Sequence, residues 1–197
     1  MLVDAKAYNH NAKTLHLVTL LLNSGAQNSF ITTSTAKHLC LSIVNQKART
    51  FVIFGGHETT EMTGIVEVTL VDSQNDKLTL QLTLKDTITL PQVPPRLPEV
   101  DIDFIKTNGL QLPSNNTSHP VTPNILIGIN NYWDIFTQEP PLCLPSGMVL
   151  THTRFGTVVS GSLVFCAGYR KAQKPTQYTR HRTQTKKQRN VSGHSTL

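Results

Sequence analysis

The feature that most constrains the fold is a turn that interrupts an apolar run near the start of the chain. Residues 20–31 have the sequence LLLNSGAQNSFI, in which leucines lead into Asn23-Ser24-Gly25 and a polar stretch leads out to Phe30 and Ile31. A short apolar run that ends at a turn signal is typical of a buried strand, and glycine permits a tight backbone turn. The segment therefore predicts a buried strand, a sharp turn and a returning strand.

Short strands separated by turns predict a mainly β domain. Residues 65–72 (IVEVTLVD) and 77–84 (KLTLQLTL) alternate apolar and polar side chains, with the turn SQND between them, which indicates a hairpin. LHLVTLLL (residues 15–22) predicts a buried strand, and Phe51–Gly56 predicts a strand that breaks at two glycines. Such a series favours a small closed or sandwiched β fold.

Helices are expected to be few and short. Ala36, Leu39 and Cys40 have helical spacing within residues 33–41, with Thr33 or Ser34 as the cap. A second short helix is predicted within DIDFIKTNGLQL, ending at Gly109. The proline-rich residues 91–123 otherwise show no period and predict loops.

The segment NILIGINNYWDIF (residues 124–136) predicts a buried strand, a break at Gly128 and a helical turn, with Tyr132 and Trp133 expected to pack in the core. Two final strands are predicted in LPSGMVL and TRFGTVVSG. We expect a domain over residues 1–165 and a separate tail over residues 170–197.

The tail carries the basic character of the chain. It holds eight of the 18 Lys and Arg residues and none of the 12 acidic ones, so ten basic residues remain in the domain. Without an apolar period, it is predicted to be disordered and to have weak affinity for nucleic-acid phosphates. A solvated tail without a specific partner is an equally good interpretation. The basic residues of the tail are Arg170, Lys171, Lys174, Arg180, Arg182, Lys186, Lys187 and Arg189.

Other features exclude several classes of site. Cys40, Cys143 and Cys166 lie far apart, which indicates buried free thiols and excludes a CxxC zinc or redox motif. The histidines show no HExxH spacing, so neither a metal nor a cofactor is predicted. There is no signal-peptide pattern and no apolar run of about 20 residues, so we expect an intracellular, cytoplasmic protein without a membrane span.

The environment of Asn23 is the one that aspartic proteases give to a catalytic carboxylate. These enzymes use two carboxylates that share a proton across a water molecule, one as base and one as acid. Each lies on a turn made by an apolar strand, Asp, a hydroxyl residue and glycine, with a second apolar strand ending in glycine behind it. Here Ser24 and Gly25 match the hydroxyl and glycine, Ile127 and Gly128 match the supporting element, and position 23 is Asn.

Taken in order, LLNSGAQNSFI, TAKHLCL, FGG, ILIGINNYWDIF and LPSGMVLTHTRFGTVVSG resemble the aspartic protease domain of Bel-Pao-type LTR retrotransposon polyproteins, from near residue 1 to about Gly161. The resemblance implies a retropepsin-like closed β-barrel with one or two short helices, acting as a homodimer on an extended peptide of a polyprotein. It implies a mobile flap at Phe54, Gly55 and Gly56. Because the chain includes no reverse transcriptase or integrase, we expect a fragment of a retroelement.

Two positions depart from the family pattern, since Asn23 and Asn130 stand where the family has Asp. A carboxamide has no titratable proton near neutral pH and cannot act as a general base. We therefore expect a pseudo-protease with Asn23-Ser24-Gly25 in a buried turn close to Ile125–Gly128. The alternatives are a substitute carboxylate, with Asp101, Asp103 and Asp134 as candidates, and a non-enzymatic scaffold or nucleic-acid-associated protein that acts through the tail.

Overall fold

The computed structural model describes residues 1–52, 55–114 and 119–161, and this part of the chain is mainly β. The predicted tail, residues 170–197, and Phe54 of the predicted flap lie outside the described residues. The elements are, in chain order, β1 (Leu2–Asn9), β2 (Thr14–Leu22), β3 (Phe30–Thr32), α1 (Thr33–His38), β4 (Val44–Val52), β5 (Glu58–Val71), β6 (Lys77–Lys85), α2 (Glu99–Thr107), β7 (Ile125–Ile127), α3 (Ile129–Ile135), β8 (Leu142–Cys143), β9 (Val149–Thr153) and β10 (Gly156–Ser160).

The main sheet has the strand order β1-β2-β7-β3-β6-β5-β4. The pairs β2–β7 and β3–β6 are parallel, and the other neighbours are antiparallel. Strand β1 also pairs with β5, through Lys6 opposite Val71 and Ala7 opposite Leu70. Because β1 contacts both β2 and β5, the sheet turns back on itself and leaves β4 as an edge strand.

The period-two pattern of the strands places one face of the sheet in the core. In β5, Val66, Val68 and Leu70 are fully buried, as the alternation predicts. They pack with apolar residues of β2 and β7, including Leu20 and Ile127, in the larger of two apolar clusters. The core therefore lies directly beneath the end of β2, where the Asn23 turn begins.

A smaller sheet, β10-β9-β8, lies with α2 around a second apolar cluster that includes Ile105, Met148 and Leu150. Asp101 of α2 is fully buried at this cluster. Its carboxylate accepts a hydrogen bond from the Ser146 N–H at 2.9 Å and a second, short one from the Ser146 hydroxyl. These bonds hold α2 against the loop before β9.

Most predicted elements are confirmed, with shifted ends. The strands predicted at residues 15–22, 65–72 and 77–84 are β2, β5 and β6. Helix α1 is shorter than predicted, and its cap is Thr32, whose side chain accepts the Thr35 N–H. The described residues contain three helices, where one or two were expected, because the helical turn after Gly128 is a full element of its own.

The burial predictions for the cysteines and for Trp133 are wrong. Cys40 and Cys143 are free thiols but are exposed, and Cys166 lies outside the described residues. Tyr132 is buried as expected, whereas Trp133 has 72% of its surface exposed. Adjacent residues of a helix point in different directions, so a seven-residue helix on the surface of the core can bury one of the two rings and leave the other in solvent.

Among the described residues, no helix combines the length and apolar character that crossing a membrane requires.

Candidate active site

The predicted turn is present at the end of β2. The Asn23 N–H donates to the Ile127 carbonyl at 3.0 Å, and the Asn23 carbonyl accepts from the Ala26 N–H at 3.1 Å. The side-chain Oδ1 of Asn23 accepts the Gly25 N–H at 3.0 Å. This local bond from an Asn side chain to the backbone two residues on closes the turn and fixes which end of the amide faces Gly25.

The turn contacts its predicted support but is not buried. Leu20, Leu21 and Leu22 pair in parallel with Ile125, Leu126 and Ile127, so the predicted proximity of the two segments is confirmed. The prediction of burial is wrong, because residues 23–25 are all exposed. The core ends at Leu22, which is 3% exposed, and the turn extends beyond it, where the described residues of a single chain do not cover it.

Glycine is needed at position 128 more than at position 25. Gly25 has an ordinary φ, and a Cβ there would meet only the Asn23 side chain, at 3.3 Å. The turn therefore does not need the backbone freedom of glycine that was expected at this position. A Cβ on Gly128 would lie 2.3 Å from the Asn28 carbonyl oxygen and 2.8 Å from that of Ala26. The strand that supports the turn approaches so closely that only glycine fits.

Ser29 joins the two segments and was not singled out by the sequence. It is 2% exposed; its Oγ accepts the Gly128 N–H at 2.9 Å and donates to the Asn130 Oδ1 at 2.8 Å. The Ile129 N–H donates to the Ala26 carbonyl at 2.8 Å beside it. The only sequence signal for this role is that Ser29 is the polar residue of the otherwise apolar SFI segment. Its hydrogen-bond partners could not be identified from the sequence, because they lie about a hundred residues away.

A cleft of about 460 Å³ opens beside the turn. Residues 25–28 form one side, and Thr50, Phe51 and Val52 at the end of β4 form the other. Phe30, Ile88 and Leu126 contribute apolar surface, and Lys85 contributes a positive charge. The lining thus combines apolar side chains with a positive charge, a mixture that is common in ligand clefts.

Gly55 and Gly56 of the predicted flap lie between β4 and β5. The strands pair as far as Val52 opposite Glu58, and residues 53–57 join them. Gly55 and Gly56 have φ angles of +90° and +79°, which favour glycine. Phe54 lies outside the described residues, but the hairpin strand next to it lines the cleft.

The charged group of the cleft, the Lys85 ammonium, lies over the ring of Phe51. This ring lies 5.6 Å from that of Phe30, measured between centroids, and the Lys85 Nζ lies 4.6 Å from its centroid. The same ammonium pairs with the Glu61 Oε1 at 2.9 Å. Lys85 is thus held at the cleft by an ion pair and an aromatic face.

None of the three candidate substitute carboxylates lines the cleft. Asp101 is buried and bonded to Ser146, within the second apolar cluster. Asp103 and Asp134 are exposed, on α2 and α3 respectively, and neither lines the cleft. In the part of the chain that the structure describes, no three His, Cys, Asp or Glu side chains form a group that could hold a metal ion.

No protein-family model matches the sequence, and no curated protein matches it. Among solved structures, the chain is similar to the retroviral protease-like domain of Ddi1 from Leishmania major, with 10% sequence identity and a TM-score of 0.38, over 82% of this chain and 95% of that one.

Proposed function

We propose that this chain is a retropepsin-like domain of the aspartic endopeptidase type in which Asn23 occupies the position of the catalytic carboxylate. The observation that carries this proposal is the turn itself: Asn23 ends an apolar strand, is bonded to Ile127 of the supporting strand, and directs its Oδ1 to the Gly25 N–H. A carboxylate in the same place would accept the same bond with one oxygen and leave the other free for a water molecule.

We infer that the main sheet is the closed barrel of such a domain and that two copies form the complete site. One chain supplies one turn, and the mechanism needs two. The exposure of residues 23–25 in a single chain is consistent with this, since a second copy could cover them by placing its own turn opposite. The pairing of β1 with β5 supports closure of the barrel.

The ligand of the cleft would be an extended peptide. The hairpin tip at Gly55 and Gly56 would close over it, and the edge of β4 offers backbone groups to which a strand can add. Phe30, Phe51 and Leu126 would receive apolar side chains. We propose that the ancestral domain processed a polyprotein of a Bel-Pao-type retrotransposon.

With Asn23 the domain would be a pseudo-protease. The amide can hold the turn together, but it cannot take a proton from water near neutral pH. A homodimer would have two amides and no carboxylate at its centre. Its remaining property would be binding of extended peptides without cleavage.

The test is the variant Asn23→Asp. We expect it to cleave a peptide library at mildly acidic pH, where one of two facing carboxylates is ionised and the other protonated, and the wild type to be inactive. Since loss of a catalytic group costs several powers of ten in rate, the contrast should be large. Asn28→Asp is the matched control, because it adds a carboxylate to the same cleft but not to the turn. Equal activity of wild type and Asn23→Asp, or an inactive Asn23→Asp that is folded and dimeric, would contradict the proposal.

A second candidate function belongs to the tail. Eight Lys and Arg residues without an acidic one, in residues 170–197, favour sequence-independent contact with a phosphate backbone. The domain would then serve as a scaffold.

A further inference from the structure

Two histidine rings from different elements meet outside the candidate site. His16 lies in β2, and His38 is the last residue of α1. The His16 Nδ1 and the His38 Nε2 lie 3.0 Å apart, and the planes of the two rings are nearly perpendicular, at 87°. In a hydrogen bond between two neutral imidazoles one nitrogen donates and the other accepts, so a single hydrogen lies between two nitrogen atoms that can each bind a metal ion.

The backbone holds both histidines in place. His16 is directly opposite Ala7 in the antiparallel pairing of β1 with β2. The His38 carbonyl accepts a hydrogen bond from the Asn9 Nδ2 at 3.1 Å, and Asn9 is only 4% exposed. The meeting of the two rings is therefore built into the fold, since each ring is attached to a backbone position that other contacts fix.

The second nitrogen of His16 has an oxygen partner. The His16 Nε2 lies 2.9 Å from the Thr14 Oγ1. When Thr14 accepts the Nε2 hydrogen, the lone pair of Nδ1 faces His38, and this is the tautomer that binds a metal through Nδ1. Histidines that bind metals in proteins almost always donate their other ring N–H to an oxygen or to water in this way.

The spacing and the chemistry of the pair suit a transition metal. Two imidazole nitrogens on a tetrahedral zinc lie about 3.4 Å apart, given Zn–N bonds of about 2.0–2.1 Å, so the observed pair needs to open only slightly. In the described part of the chain no third His, Cys, Asp or Glu joins the pair, and water would complete the coordination. Nitrogen ligands without a carboxylate suit Zn²⁺, Ni²⁺ and Cu²⁺ rather than Mg²⁺ or Ca²⁺.

We propose that His16 and His38 form a two-histidine site for a divalent transition metal of the zinc class, which links the end of α1 to β2. The ion takes the place of the hydrogen between the rings. The His38 proton moves from Nε2 to Nδ1, so both rings stay neutral. Neither histidine lines the cleft beside the Asn23 turn, so the site does not depend on the proposed peptidase-like function.

The experiment uses the full chain, with Zn²⁺ alone as the probe. Long-range ¹H–¹⁵N NMR reads each imidazole separately, which matters because the chain has eight histidines and three cysteines. We expect the signals of the His16 Nδ1 and the His38 Nε2 to shift on addition of zinc. Because the ion binds the folded pair, Tm should rise by at least about 3 °C at a zinc concentration of 100 times Kd.

The variants assign the ligands. His16→Gln and His38→Gln should each weaken zinc binding at least about tenfold and remove the rise in Tm. His10→Gln is the matched control, since His10 is also exposed but its ring lies against Tyr8; it should change neither readout. Cys40→Ser should also bind zinc as the wild type does, because the Cys40 Sγ is turned toward the Asn9 Nδ2 and the His38 carbonyl.

Three results would overturn the assignment. The first is a wild-type chain in which zinc leaves the His16 and His38 ring signals unmoved, and this test needs no variant to fold. The second is a rise in Tm with zinc that persists in both Gln variants. The third is loss of that rise in Cys40→Ser, which would move the site from the imidazole pair to the thiol.

Discussion

Removing the Ser29 hydroxyl should destabilise the domain more than its size suggests. In Ser29→Ala, the buried Gly128 N–H loses its acceptor, and the Asn130 Oδ1 loses a donor. An unsatisfied buried N–H costs about 1–3 kcal/mol, and a lost hydrogen bond to an exposed group about 0.5–1.5 kcal/mol. Asn130 is exposed, so water replaces its bond at little cost. The expected loss is about 2 kcal/mol in the free energy of unfolding, or about 4–8 °C in Tm for a domain of this size.

The assay is urea unfolding followed by far-UV circular dichroism, because the single tryptophan, Trp133, is already exposed in the folded protein; Asn130→Ala is the control. That variant removes only the exposed Asn130 side chain, which accepts the hydrogen bond from Ser29. Its loss in the free energy of unfolding should therefore stay below about 1 kcal/mol. A Ser29→Ala variant as stable as the wild type, or an Asn130→Ala variant that loses as much as Ser29→Ala, would refute the assignment of Ser29 as the link between the turn and its supporting strand.

Three further variants test other parts of the chain. Gly128→Ala should cost at least about 2 kcal/mol of stability, since its Cβ would meet backbone at 2.3 Å; Gly25→Ala, measured by the same urea unfolding, should cost clearly less, and equal losses would contradict the close approach. Burial raises the pKa of Asp72, but hydrogen bonds from the Asp76 N–H, the Arg154 side chain and the Gln74 N–H outweigh it and hold that pKa below its usual value. Its contribution to stability is therefore present at neutral pH and is lost as the pH falls through the lowered pKa, so the stability advantage of the wild type over Asp72→Asn should shrink in acid; an advantage that does not change with pH would contradict this. A chain ending at Tyr169 should lose the RNA affinity of the full chain, and the full chain should bind more weakly as salt rises; equal affinity of the two chains would assign binding to the domain.

The strands were predictable where alternation is strong. β6 alternates strictly over residues 77–84, residues 66–70 of β5 alternate in the same way, and the structure pairs the two strands as predicted. β1 was not delimited, because LVDAKAYN mixes small and charged residues and carries little hydrophobic contrast. Its place is set by pairing with β2 and β5, which are tertiary contacts that a local pattern does not encode.

The sequence predicted which two motifs form the candidate site, but it did not predict which parts of that site are exposed. The matched strings correctly brought Asn23 next to Ile127. They gave no information on what covers the turn, because burial depends on residues, or on a second copy, that lie outside the motif. For the same reason Ser29 was missed, since its partners Gly128 and Asn130 lie about a hundred residues away in the sequence.

The exchange of a carboxylate for an amide has different consequences for the turn and for a dimer. Within one chain, Asn23 makes the bond that matters to the fold, Oδ1 to the Gly25 N–H, and a carboxylate could do no more. Between two chains, facing carboxylates repel unless one is protonated, so such a dimer weakens as the pH rises. Two facing amides carry no charge at any pH. Under the proposed function, Asn23 would give up hydrolysis and relieve the two subunits of this repulsion, so a peptide-binding dimer of this kind would form more readily at neutral pH than its catalytic counterpart.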